Sequence, residues 1–149
     1  MKRPLERNSD DDMPSAYRTP AAILGRLLLA AIFLISPLAN LIPNFKVTIV
    51  SMQKAGVPFA TPLLVVAIAM LIAGSLSLIA GYKARWGAIL LLVFLLPATY
   101  YFHAPWTAID ASEFSQQIIH FLKNVALMGA MLLVAVLGPG PGSIDGIRQ

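Results

Sequence analysis

The chain contains no cysteine. It cannot form a disulfide, hold a metal through thiolates or pass electrons through a dithiol, so any redox role has to borrow its chemistry from a cofactor, a quinone or a partner. Charge is scarce too: Asp, Glu, Lys and Arg make up 12% of the 149 residues, about half the share of an ordinary soluble domain. No phosphate-cradling glycine loop, nucleophile elbow or HExxH motif is present, which argues against a self-sufficient ATPase or hydrolase. His103, His120, Asp110 and Glu113 do not fall at a diagnostic ligand spacing, so no metal site is expected. No basic patch is interleaved with aromatics, and nucleic acid is not expected as a partner.

What the chain has in abundance is apolar surface. Hydrophobic residues make up 58% of it, against about 45–50% in soluble proteins. A hydrocarbon core of about 30 Å needs about 20 apolar residues at about 1.5 Å each, and four stretches qualify: 20–42, 59–80, 84–103 and 116–137. Unpaired backbone groups are too costly in lipid for anything but helices or a closed barrel, and the alternation of barrel strands is absent. The expected fold is all-α, an integral membrane bundle of four transmembrane helices over residues 20–145. Residues 1–19 read as a disordered cytoplasmic tail and 146–149 as a short second tail. A cleaved secretory signal is not expected, because the first apolar run continues to Ile42. Between the first two spans, Phe45, Ile49 and Met52 recur at helical spacing beside Lys46 and Lys54, which predicts a short interfacial or re-entrant element.

Basic residues set the orientation. With the N-terminus inside, the inner loops hold Lys2, Arg3, Arg7, Arg18, Arg26, Lys83, Arg85 and Arg148, against Lys46, Lys54 and Lys123 outside. Both termini are then cytoplasmic, and Asp110 and Glu113 fall in an outer loop. Helices in lipid associate through small residues, and Ala69, Ala73, Ser77 and Gly81 share one face, as do Ala126 and Ala130 beside Gly129. Pro37 and Pro97 each break a backbone bond and bend their helices.

Polar residues inside the spans are the candidates for function. Gln116, His120 and Lys123, and Gln117, His120 and Asn124, stack at three- and four-residue spacing on the last helix. Asn40, Tyr100, Tyr101 and His103 lie at similar depth on other helices, so a shared polar pocket is one reading and interfacial anchoring the other. Arg26 either snorkels to the headgroups or pairs inside the bundle. Gly138 and Pro139 stop the last helix, and Asp145 beyond them has Arg26, Lys83 and Arg85 as candidate partners.

LGRLLLAAIFLISPLANL, AGVP, GYKARWGA, FLKNVALMGAMLLV and GPGPGSID, in that order over residues 24–145, resemble the DoxX family of small four-helix membrane proteins. The positions carrying the likeness are Arg26, Gly56, Pro58, Gly74, Gly81, Arg85, Lys123, Asn124, Gly129, Gly138, Gly140, Ser143 and Asp145. Pro37 and Asn40 stand where the family often has Gly and Lys, and Met70 where it often has an acid. The resemblance implies a bacterial or archaeal cytoplasmic-membrane component of an oxidoreductase or oxidative-stress system, not catalytic alone. Its namesake is similar to a subunit of a thiosulfate:quinone oxidoreductase. Quinone is the implied cofactor. Membrane lipid, a soluble redox subunit and a second copy of the chain are the implied partners. The polar ligand-binding candidates are Arg26, Asn40, Tyr100, His103, His120, Lys123 and Asn124. A non-enzymatic scaffold or a carrier of lipid or small solutes is the alternative.

Overall fold

The computed structural model describes residues 15–147. The expected tail therefore lies outside the described residues for positions 1–14 and 148–149. Within them the chain is helical throughout: α1 (Ser15–Ser36), a π turn (Pro37–Leu41), α2 (Phe45–Lys54), α3 (Ala60–Ala80), α4 (Ala84–Phe102), a 3-10 turn (Pro105–Thr107), α5 (Ala111–Leu137) and α6 (Ile144–Ile147). Four of these helices are long and apolar enough to cross a membrane. Leu28, Ile35, Val66, Leu96, Leu133 and Val136 are each more than half exposed, as the lipid-facing side of a bundle requires.

Two helices begin earlier than their hydropathy predicts. Residues 15–19 belong to α1 rather than to a loose tail, because the segment after α5 folds back over this first stretch. A side chain at Gly142 would meet Thr19 at 2.9 Å and Ile23 at 3.0 Å, and one at Gly140 would meet Ala22 at 3.3 Å. α5 begins at Ala111 rather than 116, and Asp110 and Glu113 are not loop residues but its cap. The Glu113 N–H donates to Asp110 Oδ1 at 2.8 Å and the Ile109 N–H to Glu113 Oε2 at 3.0 Å, satisfying amides that the helix leaves free. Asp three residues before Glu was the available signal.

α3 is the hub. It packs against α1 on one side and α4 on the other, α4 packs against α5, and α2 lies across α3. Ala30, Phe33, Leu71, Leu78, Ala88, Leu91, Leu95 and Met131 form the main core. α2 is a genuine surface helix whose Met52 joins Ala60 and Leu64 in a second cluster, with Phe45 and Ile49 packed against it.

The closest seam is between α3 and α4, on Gly74, Ser77 and Gly87; of the expected face Ser77 joins it, and Ala69 and Ala73 do not. A side chain at Gly74 would meet Leu91 at 2.6 Å and the Gly87 carbonyl at 3.1 Å, and one at Gly87 would meet Ser77 Oγ at 2.4 Å. Ala69 and Ala73 face outward, as do Ala126 and Gly129; nothing lies within 4 Å of a side chain built at Gly129. α1 and α5 are not among the main helix pairings, and the space between them holds the features that follow.

Candidate functional site

The bundle has two ends, one carrying the first and last described residues and one carrying α2. At the α2 end, three helices bring polar side chains to the gap between α1 and α5. Pro37 has no N–H, so the Phe33 carbonyl loses its usual helical donor. The chain then widens into a π turn closed by the Ile42 N–H on the Pro37 carbonyl at 2.9 Å. Single π turns are frequent at functional sites, and this one follows directly on Ser36.

Ser36, Phe33 and Ile32 from α1, Leu71 from α3, Phe94 and Leu95 from α4, His103 just beyond α4, and Lys123, Asn124 and Leu127 from α5 line an open cavity of about 200 Å³. A second cavity of about 460 Å³ shares Phe94 and His103 with it and reaches Asn40, Asn44, Thr48 and Ser51. His103 is the polar residue common to both. At roughly 30 Å³ per water, the inner cavity has room for a ring-sized group rather than a single ordered water. The outer cavity gives a larger ligand a way in beside α2.

The side chains around this space are fixed to different degrees. Asn124 is buried, with Nδ2 donating to Thr99 Oγ1 at 3.0 Å. Thr99 stands four residues before His103, whose N–H donates to the Thr99 carbonyl at 3.0 Å; that spacing was legible in the sequence. The His103 and His120 rings stack with centroids 5.0 Å apart, and Lys123 Nζ lies 3.4 Å from His120 Nδ1. A charged Lys123 donates there, which places the proton of a neutral His120 on Nε2. His103 interacts with Gln117 through a side-chain hydrogen bond, and among the described residues His103 Nδ1 and Gln117 Oε1 have no other partner.

Not every candidate joins this group. Tyr100 is 63% exposed and packs edge-on to Tyr101 and beside Trp106 at the rim of the bundle. Tyr101 instead lines a separate apolar cavity of about 250 Å³ with Pro58, Met70 and Pro97. Asn40 reaches only the outer cavity, and its Oδ1 accepts from Asn44 Nδ2 at 3.3 Å. Asn44 went unnoticed in the sequence.

Arg26 lies at the opposite end. It is 5% exposed, so it neither snorkels nor faces the gap. Nη1 donates to the Pro139 carbonyl at 3.0 Å and Nη2 to the Gly142 carbonyl at 2.8 Å, and a side chain at Gly81 would begin 3.2 Å from Nη1. The guanidinium thus sits where α3 and α5 end, and helix C-termini carry partial negative charge. Asp145 does not pair with it. Asp145 Oδ1 accepts the Lys83 N–H and Oδ2 the Ala84 N–H, both at 3.0 Å, capping the positive end of α4. This holds Lys83 at φ 49°, a conformation rare outside glycine. Ser143 is buried and bridges its own turn through the Gly140 carbonyl and the Gly146 N–H. Replacing Asp145 by Ala is expected to destabilise the protein by about 1–2 kcal/mol, read as a lower melting temperature in detergent. Asp145→Asn, which keeps one acceptor, should fall between.

The arrangement of Arg26, the Gly81 turn and the Gly138 loop against four spans bears on relationship as well as on stability, and the DoxX family model matches residues 21–104. The chain belongs to the DoxX family. Inner membrane protein YphA of Escherichia coli K12 is 27% identical over 130 residues, 87% of this chain and 91% of the relative. Inner membrane protein YqjF of the same organism is 29% identical over 126 residues, 83% of this chain and 88% of the relative. These shares cannot be reached without α5, so the likeness runs past the family model into the helix carrying Lys123 and Asn124. No solved structure matches. This DoxX-family chain keeps Arg26, Gly81, Ser143 and Asp145 in one terminal lock, and Lys123, Asn124 and His103 around the cavity.

Proposed function

We propose that this protein is the membrane subunit of an oxidoreductase system and binds the headgroup of a quinone in the gap between α1 and α5. Family membership and the two inner-membrane relatives support placement in the inner membrane, and the distribution of Lys and Arg supports both termini at the cytoplasmic face. The observation carrying the ligand assignment is the convergence of Ser36, His103, Lys123 and Asn124 on one cavity.

A quinone headgroup fits that set because its carbonyls only accept hydrogen bonds, while Lys123 Nζ, Ser36 Oγ and an Nδ1-protonated His103 donate. Phe33, Phe94, Leu95 and Leu127 supply apolar walls, and the loose α1 and α5 edge leaves an exit into lipid for an isoprenoid tail. When bound, a quinone supplies the two-electron redox chemistry that a chain without cysteine lacks. The chain's own task is to hold and orient the ring and to keep a proton donor beside it.

Extraction in mild detergent followed by mass spectrometry of bound small molecules is expected to recover quinone with the wild type. Lys123→Met should reduce retention at least about tenfold, the equivalent of one lost charge-assisted hydrogen bond. Recovery of lipid or another solute without quinone, and a quinone-linked rate unchanged in Lys123→Met, would favour a carrier or scaffold and sink this reading.

A further inference from the structure

The end of the molecule opposite the proposed quinone cavity holds a larger one, of about 590 Å³, between the α4 start and the segment after α5. Lys83, Arg85, Trp86 and Leu137 line it together with the Gly138–Gly140 loop, Ser143 and Asp145. We propose that this cavity is a binding site for the headgroup of an anionic phospholipid.

Charge decides the class of ligand. Asp145 is the one acidic residue of the lining, and both of its oxygens are committed to the Lys83 and Ala84 amides. Its charge answers the positive end of α4, so no carboxylate of the lining is left for the Arg85 guanidinium or for the Lys83 ammonium, which lies 5.7 Å from the Tyr82 ring centroid. Arg85 is exposed and has no hydrogen-bond or ion-pair partner among the described residues. Its guanidinium is laid along the loop, with Nε and Nη2 each 3.5 Å from where a side chain at Gly138 would begin. Glycine there leaves the fork open, and a guanidinium fork matches phosphate oxygens in pairs.

Shape decides between a lipid and a free phosphate. Trp86 is 71% exposed and Leu137 73%; an indole at the headgroup level and an apolar wall running down α5 suit a molecule with a phosphate at one end and acyl chains at the other. Basic pockets beside spanning helices bind anionic headgroups for this reason. The site depends on neither the quinone cavity nor Arg26, whose Nη1 and Nη2 are bonded to the Pro139 and Gly142 carbonyls.

The test uses the full-length protein in neutral detergent, titrated with phosphatidylglycerol, phosphatidylcholine or inorganic phosphate, with binding read by native mass spectrometry and by melting temperature. Phosphatidylglycerol is expected to bind and raise the melting temperature, and the other two to do neither. The Lys83→Gln, Arg85→Gln double variant should lose roughly 25-fold in affinity, about fivefold per cation. Arg85→Lys should keep much of the binding, and Lys46→Gln, at the far end, all of it. Gel filtration checks that each variant remains folded; if the double variant does not, the Arg85→Gln single variant, expected to lose about fivefold, carries the same test. Equal binding of phosphatidylcholine, competition by inorganic phosphate, or unchanged phosphatidylglycerol affinity in the Gln variants overturns the proposal. Loss of quinone retention alone does not touch it.

Discussion

Replacing Arg26 with Leu is expected to lower the stability of the detergent-solubilised protein by about 3 kcal/mol or more and to expose residues 138–147 to protease. The size follows from two hydrogen bonds made by a charged donor, each worth about 1.5–3 kcal/mol when the partner is left behind, to the Pro139 and Gly142 carbonyls. Those bonds tie α1 to the segment following α5, beside the contacts of Gly140 and Gly142 with Thr19, Ala22 and Ile23. Arg26→Lys should recover only part of the loss, because a single ammonium does not present the planar fork that spans two carbonyls. Melting curves of the three proteins, with proteolysis followed by intact-mass measurement, give the answer. An Arg26→Leu protein that melts with the wild type and keeps its C-terminal segment protected would show that the clamp contributes nothing.

Gly81→Val is the second large effect, expected at roughly 2–5 kcal/mol. About 1–2 kcal/mol comes from forcing a side chain into the left-handed region, where Gly81 sits at φ 62°. A further 1–3 kcal/mol, roughly, comes from overpacking: the added carbon would start 2.4 Å from Ser143 Cβ and 2.9 Å from its Cα. The Gly81 carbonyl also accepts the Asp145 N–H at 2.9 Å, so displacing this turn moves the cap of α4 with it. Gly129→Ala is the matched control. It stands in the interior of α5 with open space around it, and alanine there should be neutral or stabilise by up to about 1 kcal/mol. Combined with Arg26→Leu, Gly81→Val should cost less than the sum, since both variants release the same segment. Strict additivity in that double mutant would mean the two residues act on separate structures.

Much of the terminal lock was visible in the chain as residue types but not as partners. Asp145 had Arg26, Lys83 and Arg85 as candidate partners, because each is a charge beside a membrane span. The fold separates Arg26 from Asp145, sending the cation to the ends of α3 and α5 and the anion to the start of α4. Helix-end charge becomes a partner only once the ends are brought together, which no spacing along the chain reveals. The polar stripe of α5 was legible by its three- and four-residue spacing, and Lys123 and Asn124 do reach a common cavity with His103. Its other walls depend on how α1 bends at Pro37 and on where α4 stops. Tyr100 has the same depth as His103 but points to the rim, and depth alone does not fix azimuth.

The sequence by itself determined that four apolar segments stand as helices in a membrane, that α2 turns Phe45, Ile49 and Met52 inward, and that Gly138 and Pro139 end α5. Only the tertiary structure decided which face of each span meets a neighbour: Gly74 against Gly87 rather than Ala69 and Ala73, and α1 held loosely from α5. In water, burial separates apolar from polar residues, and the pattern of a helix announces its inner side. In lipid the surroundings are as apolar as the core, so hydrophobicity marks where the chain crosses and is silent about which way it faces.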